Sequence, residues 1–276
     1  MNRGLRMEIE KTREQLHEED LQRIRGFRLI DDDFLNVCFA DNIEATELLV
    51  HIILNKPDLV VSRVQTQKTI KNIHGRSLRL DIDATDTESR EYNIEVQRSD
   101  SGANPKRARY HGSLLDANIV EPGEKFEHIP ETFVIFITEN DIFGLGKPIY
   151  KADRYYEGED GNMIPLNDGL HILYVNGAYK GNDDIGKLMH DFFCVEPDDM
   201  YFEKLAERAR YFKKDEGGIR QMCKVMEDMR NESIMQERKK FAKRLIEDGE
   251  NSAERIARLS ELALEDVEEL LENKTA

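Results

Sequence analysis

Between Leu78 and Gln97 the chain alternates twice. In "LRLDIDATD" the apolar side chains Leu78, Leu80, Ile82 and Ala84 occupy every second position, and in "EYNIEVQ" Tyr92, Ile94 and Val96 do the same. A period of two belongs to a strand with one buried face. The polar "TESR" between the two runs reads as a turn. A hairpin with one apolar face is a strict constraint, because slipping it by one residue turns every side chain over. Its other face is unusual. Asp81, Asp83, Glu95 and Gln97 stand there, and Asp and Glu are poor strand residues. A register centred on Glu88 sets Asp81 opposite Glu95, with Cβ atoms about 5 Å apart. Two ionised carboxylates at that spacing repel by on the order of 3 kcal/mol at an effective dielectric of about 20.

Folding does not need that repulsion, and three arrangements relieve it: the pair splays in water, one acid keeps its proton, or a cation sits between them. In the plainest case the hairpin face is solvated, with Arg79 and Arg98 as cross-strand partners. The third case suits a hard divalent ion, which takes one or two carboxylates plus water and phosphate oxygens. Such an ion polarises a phosphoryl group and generates a hydroxide nucleophile.

Around the hairpin, 7–25 reads as a polar helix and 31–60 as a helical segment ending near Lys56-Pro57, with Asp41 or Asn42 as N-cap. A helix over 102–120 starts near Pro105; "TFVIFITEN" and "HILYVNG" read as buried strands, and 141–168 as loops and short extended pieces. From about Asp198 the chain is helical and charged. The expected class is mixed α/β, with a first domain over 1–197, led by a helical 1–25, and an α-helical extension over 198–276 for packing or homo-oligomerisation. The last segment, 261–272, has six acids and no base, which argues against a helix that reads DNA.

Composition removes several classes. No apolar run approaches the roughly 18 residues of a membrane span; the longest cluster is "LLVHIIL". The first twenty residues have no apolar core, so no secretory signal is expected. Cys38, Cys194 and Cys223 lie too far apart for a metal knuckle or a disulfide framework, and a reducing cytoplasm is the expected compartment. The net charge of −16 opposes a broad nucleic-acid surface. It is uneven, however: residues 61–110 carry ten bases against seven acids, while 151–200 carry eleven acids against four bases.

Asp81, the strand "YNIEVQ", the helix "KRARYHGSLLDANIV" and the strand region "PETFVIFITENDIFGLGKPIY" together resemble the PD-(D/E)XK nuclease superfamily, specifically its recombination-promoting nuclease (Rpn) family. The resemblance covers about 26–250 and is most specific over 78–150. It implies a restriction-endonuclease-like αβββαβ core and a Mg²⁺- or Mn²⁺-dependent DNA endonuclease linked to recombination or transposition. It implies Asp81 and Glu95 as metal ligands, with Glu47, or less favoured Glu44, as the helical acid that completes the site. Gln97 falls where most of the superfamily has lysine, and Leu80 where the name motif has proline. Lysine offsets charge in the transition state and glutamine does not, so rate and metal dependence turn on Gln97. Arg107 and Tyr110, with Lys106, are implied near the substrate phosphate.

Two rivals use the same residues. "DIDAT" matches the D-x-D-x-T string of haloacid-dehalogenase phosphatases, with Asp81 as nucleophile, but that site needs a run of βα units after it. A nuclease-like scaffold with weak or lost chemistry is the non-enzyme alternative, and divalent-ion binding by Asp81 and Glu95 separates the two.

Overall fold

The computed structural model describes residues 13–72, 75–120 and 123–275. In chain order its helices are α1 (Arg13–Gly26), α2 (Asp32–Phe39), α3 (Ile43–Leu54), α4 (Pro105–Ile119), α5 (Asp184–Phe193), α6 (Glu203–Lys214), α7 (Glu216–Glu247), α8 (Ala253–Ser260) and α9 (Leu264–Thr275). Its strands are β1 (Val61–Ile70), β2 (Leu78–Asp86), β3 (Glu91–Gln97), β4 (Thr132–Thr138), β5 (Ile149–Ala152), β6 (Tyr155–Glu157), β7 (Met163–Pro165) and β8 (Leu170–Asn176). The class is mixed α/β, as expected. The part of the expected N-terminal helix over 7–12 lies outside the described residues.

Among the described residues, contacts divide the chain into residues 21–219 and a second unit made of 13–20 with 220–275. The composition shift at 197/198 is therefore not the edge of the larger unit. The reason is α6. Its Leu205, Ala206, Ala209 and Phe212 are buried, Phe212 meets Phe34 of α2 edge-on at 6.5 Å between ring centroids, and Lys213 Nζ donates to the carbonyl of Val195.

The larger unit is built on a six-stranded sheet in the order β1-β2-β3-β4-β8-β5. β1, β2 and β3 form an antiparallel meander. β3, β4 and β8 are parallel, and β5 returns antiparallel on β8. β6 and β7 form a separate two-stranded ribbon. The apolar runs of β4 and β8 suit central parallel strands covered on both faces, and every residue of β4 is buried. α4 covers one face, where Ala108, Leu114 and Leu115 pack with Val134, Phe136, Leu170 and Tyr174.

Alternation breaks once in the hairpin. Asn93 and Glu95 pair with Val134 and Phe136, so Asp83, opposite Asn93, shares the α4 face. Strict alternation would put Leu80 and Leu78 on the other face, with Ile82. Instead both belong to the cluster under α4, together with Ile70 of β1. The change of face occurs at Asp81. On β1 the facing position is Gln67, flanked by the pairs Thr66↔Ile82 and Lys68↔Leu80, and its φ is +56°. Both strands thus carry an irregular residue at the same rung.

In the second unit, Ala242 and Ile246 of α7 pack with Ile256 of α8, Leu262 and Val267 of α9. Ser252 caps α8 by accepting the Arg255 N–H. Among the described residues no helix is long and apolar enough to cross a membrane.

Candidate active site

The hairpin has the register centred on Glu88, and its paired residues run from Thr85↔Glu91 to Ile82↔Ile94. At the next rung, Asp81 and Glu95, side chains take over the backbone's hydrogen bonds. The Asp81 N–H donates to Glu95 Oε1 at 3.3 Å, and the Val96 N–H donates to Asp81 Oδ2 at 3.0 Å. The two strands are stitched here by each other's carboxylates.

Glu95 is not on a solvated face; it is 1 % exposed. Neither Arg79 nor Arg98 serves it. Arg98 pairs instead with Asp31 at 3.0 Å and Glu139 at 3.3 Å. A closed ring of hydrogen bonds holds Glu95. Asn93 Nδ2 donates to its Oε1 at 2.8 Å, and Arg107 Nη2 donates to its Oε2 at 3.3 Å. Arg107 Nε also donates to His111 Nε2 at 3.3 Å, and His111 Nδ1 lies 2.9 Å from Asn93 Oδ1. Because Asn93 uses its amide as donor to Glu95, its oxygen is the acceptor for His111. His111 is therefore the Nδ1–H tautomer, with Nε2 free to accept from Arg107. Burial pushes the His111 pKa down to about 4, and the Arg107 charge adds to this, so the ring is neutral at pH 7.

Burial has the opposite effect on the acids. The Asp81 carboxyl is pushed up to about 8, first by burial and then by the Glu95 charge, against the pull of the Val96 N–H and Arg107. Glu95 is pushed up to about 7 by burial, against Asn93, Arg107 and the Asp81 N–H. The negative charge of Asp32 raises both. Two interacting carboxyls of this kind titrate as a pair.

Gln97 points to the same helix. Its Oε1 accepts from Arg107 Nη1 at 2.9 Å, and Nη1 also reaches the Gly102 carbonyl at 3.0 Å. Gly102 permits this approach: a Cβ there would lie 1.9 Å from Gln97 Oε1. The structure thus gathers Asp81, Glu95, Gln97 and Arg107. Lys106 is exposed in the first turn of α4, and Asn104 caps that helix through the Lys106 N–H at 2.8 Å. Tyr110 does not face the carboxylates. Its hydroxyl donates to the Arg76 carbonyl and accepts from Asn72 Nδ2, tying down the β1–β2 connection.

The helical acids expected from sequence are elsewhere. Glu47 Oε2 accepts the Val61 N–H at 3.0 Å, at the start of β1. Val61 is six residues from Gln67, the position facing Asp81, or roughly 20 Å along a strand. Glu47 ends there because α3 is followed by a turn that brings β1 back along it, and the first strand N–H needs an acceptor. Glu44 is exposed beside Lys204 at 3.6 Å. Asp83 is also apart from the pair: Lys68 Nζ at 2.7 Å and Arg63 Nη1 at 3.1 Å hold its Oδ2.

The acid that does act on the pair is Asp32, in the first turn of α2. Its own carboxyl is raised by burial and by the neighbouring Asp33 and Asp31. It lines an open cleft of about 750 Å³ with Arg23, Phe27, Arg28, Asp31, Gln97 and Arg98. Sequence reasoning missed Asp32, Asn93 and His111. The available signals were the acid triplet "DDD" at a helix start and the Arg107–His111 spacing of four along one face of α4.

Asp81 Oδ1 and Glu95 Oε2 are hard oxygen donors of the type Mg²⁺ and Mn²⁺ prefer. Two carboxylates with water suffice for such an ion. Among the described residues no group of three or more His, Cys, Asp or Glu side chains is arranged to hold a metal. Compared with family models, with curated proteins and with solved structures, the chain matches none.

Proposed function

We propose that the chain is a Mg²⁺- or Mn²⁺-dependent DNA endonuclease of the PD-(D/E)XK type, with Asp81 and Glu95 as the ion's protein ligands. The observation that carries this reading is the rung where β2 and β3 stop pairing and two acids, Glu95 buried and Asp81 half-buried, are stitched into the gap. The run α3-β1-β2-β3-α4-β4 supports it, since it has the αβββαβ order. The adjoining cleft is mixed in charge: Arg23, Arg28 and Arg98 line it with Asp31, Asp32 and Asp33, and Arg28 and Arg98 are paired with Asp31, so a phosphate backbone would have to compete for those two arginines. A bound divalent ion would supply Lewis acidity and an activated water. The chain's own groups do the rest. Gln97 and Arg107 orient the attacking water and the phosphate, and the Asn93–His111–Arg107 ring keeps Glu95 in one rotamer. Glu47 is bonded to the Val61 N–H, away from the pair, while the charge of Asp32 on α2 acts on both carboxyls. Lys106 contributes to phosphate binding from the exposed first turn of α4.

One observation favours a second reading, a scaffold with weak or lost chemistry: Arg107 already sits on Glu95. The phosphatase reading gains nothing, because "DIDAT" lies inside β2, antiparallel to both neighbours and followed by β3 rather than a βα unit. The test is nicking of supercoiled plasmid with Mg²⁺, with EDTA, and with Asp81→Ala and Glu95→Ala proteins. Metal-dependent nicking absent from both variants is expected. Nicking that survives in the variants, or no nicking with no calorimetric binding of Mg²⁺ or Mn²⁺, would remove the nuclease reading.

A further inference from the structure

The guanidinium of Arg107 has four contacts of unequal kind. Nη1 is fixed twice, by Gln97 Oε1 at 2.9 Å and the Gly102 carbonyl at 3.0 Å. Nε is fixed by His111 Nε2 at 3.3 Å. Only Nη2 reaches Glu95, at 3.3 Å. If Glu95 Oε2 turns to another cation, three contacts remain and the guanidinium stays in place. The ring of Phe136 beneath it, 5.8 Å from Cζ to the centroid, limits its movement further. A fixed positive charge then stands next to any ion held by Asp81 and Glu95, in surroundings where such charges are weakly screened.

Resting on the metal-site reading, we propose that Arg107 is a resident counter-charge of the Asp81–Glu95 pair that holds down its affinity for a divalent cation, so that the ion is retained when a phosphodiester adds its negative charge. A carboxylate pair without such a neighbour would bind its ion in the absence of substrate. With it, ion and phosphate favour each other, and by linkage each raises the affinity for the other. The same arginine offers its exposed edge to the phosphate, since its side chain is 37 % exposed.

The experiment is Mn²⁺ titration calorimetry on the full chain, in wild type, Arg107→Gln and Arg107→Lys, each checked for an unchanged melting profile. Arg107→Gln removes the charge but keeps a donor for Gln97 and His111. It should bind Mn²⁺ at least about tenfold more tightly than wild type, because a like charge beside the ion is gone. Arg107→Lys keeps the charge and should stay within about threefold. A phosphorothioate-blocked oligonucleotide should tighten Mn²⁺ binding more in wild type than in Arg107→Gln. Equal or weaker binding by Arg107→Gln, while wild type binds, overturns the inference and leaves the metal site standing. Equal tightening by the oligonucleotide in the two proteins also overturns it. Absence of Mn²⁺ binding in all three overturns both.

Discussion

At the scale of single residues, the acids of the hairpin are explained by what surrounds them. Asp81 and Glu95 were legible as a rung because the turn centre fixes who faces whom, although the alternation itself breaks at Asp81. Asn93 and His111 were not, because a buried Asn in a strand and a His on a helix look ordinary until the fold brings them 2.9 Å apart. Asp32 was hidden for the same reason. Its first-turn position is what the helix dipole favours anyway, and only the docking of α2 lets its charge act on the pair. Burial gives the pair a pH signature. A carboxyl raised from 3.8 to about 8 keeps its proton in the folded state over that window, while the unfolded chain has released it. Stability therefore falls as pH rises through the window. Asp81→Asn should match wild type near pH 4 and exceed its unfolding free energy by roughly 2 kcal/mol near pH 9. Urea denaturation across that range checks this, and parallel pH profiles would contradict it. Gly102→Ala tests the approach of Gln97 to Arg107. The added Cβ falls on the movable end of Gln97, so melting should stay within a few degrees while plasmid nicking drops by about tenfold, as for loss of a positioning contact.

At the scale of elements, the strongly periodic pieces were readable and β1 was not. The strand "VSRVQTQKTI" has the burial pattern of neither a helix nor a regular strand. Two interruptions cause this: a register shift between Val61 and Arg63, and the positive φ of Gln67. Each resets the alternation, and the pattern that signals a strand disappears. The helical stretch 31–60 proved to be two helices, with Asn42 at the start of the second, where its Oδ1 accepts the Ala45 N–H at 3.1 Å. Asn42→Ala should cost about 1 kcal/mol of stability in chemical denaturation. A left-handed conformation is costly for a β-branched side chain and easy for glycine. Gln67→Gly should therefore be neutral or stabilising, and Gln67→Val should destabilise by roughly 1–3 kcal/mol. The reverse order would mean that Gln67 does not need its left-handed backbone.

At the scale of the molecule, the chain's charge and its candidate site belong to different places. The acids are concentrated in 31–60, 151–200 and the last helix, while 61–110 is net basic. The two compact units also have separate cores. Ile256→Ala, which empties part of the α7–α8–α9 core, should cost about 2–5 kcal/mol within that unit. Hydrogen exchange should report it in α8 and α9, with Mn²⁺ binding at Asp81 and Glu95 unchanged. The facing irregularities at Gln67 and Asp81 also limit how this chain can change length over its descent. Loss of Gln67 alone would leave Asp81 without a facing residue and turn one side of β1 inside out. Loss of Asp81 alone would do the same to β2. Loss of both restores an even ladder in which Ile82 follows Leu80 with correct alternation, and it removes the acid together with the kink that seats it. The two positions are thus a matched pair, gained or lost as one event, and a lineage that dropped both would keep the sheet and forfeit the site.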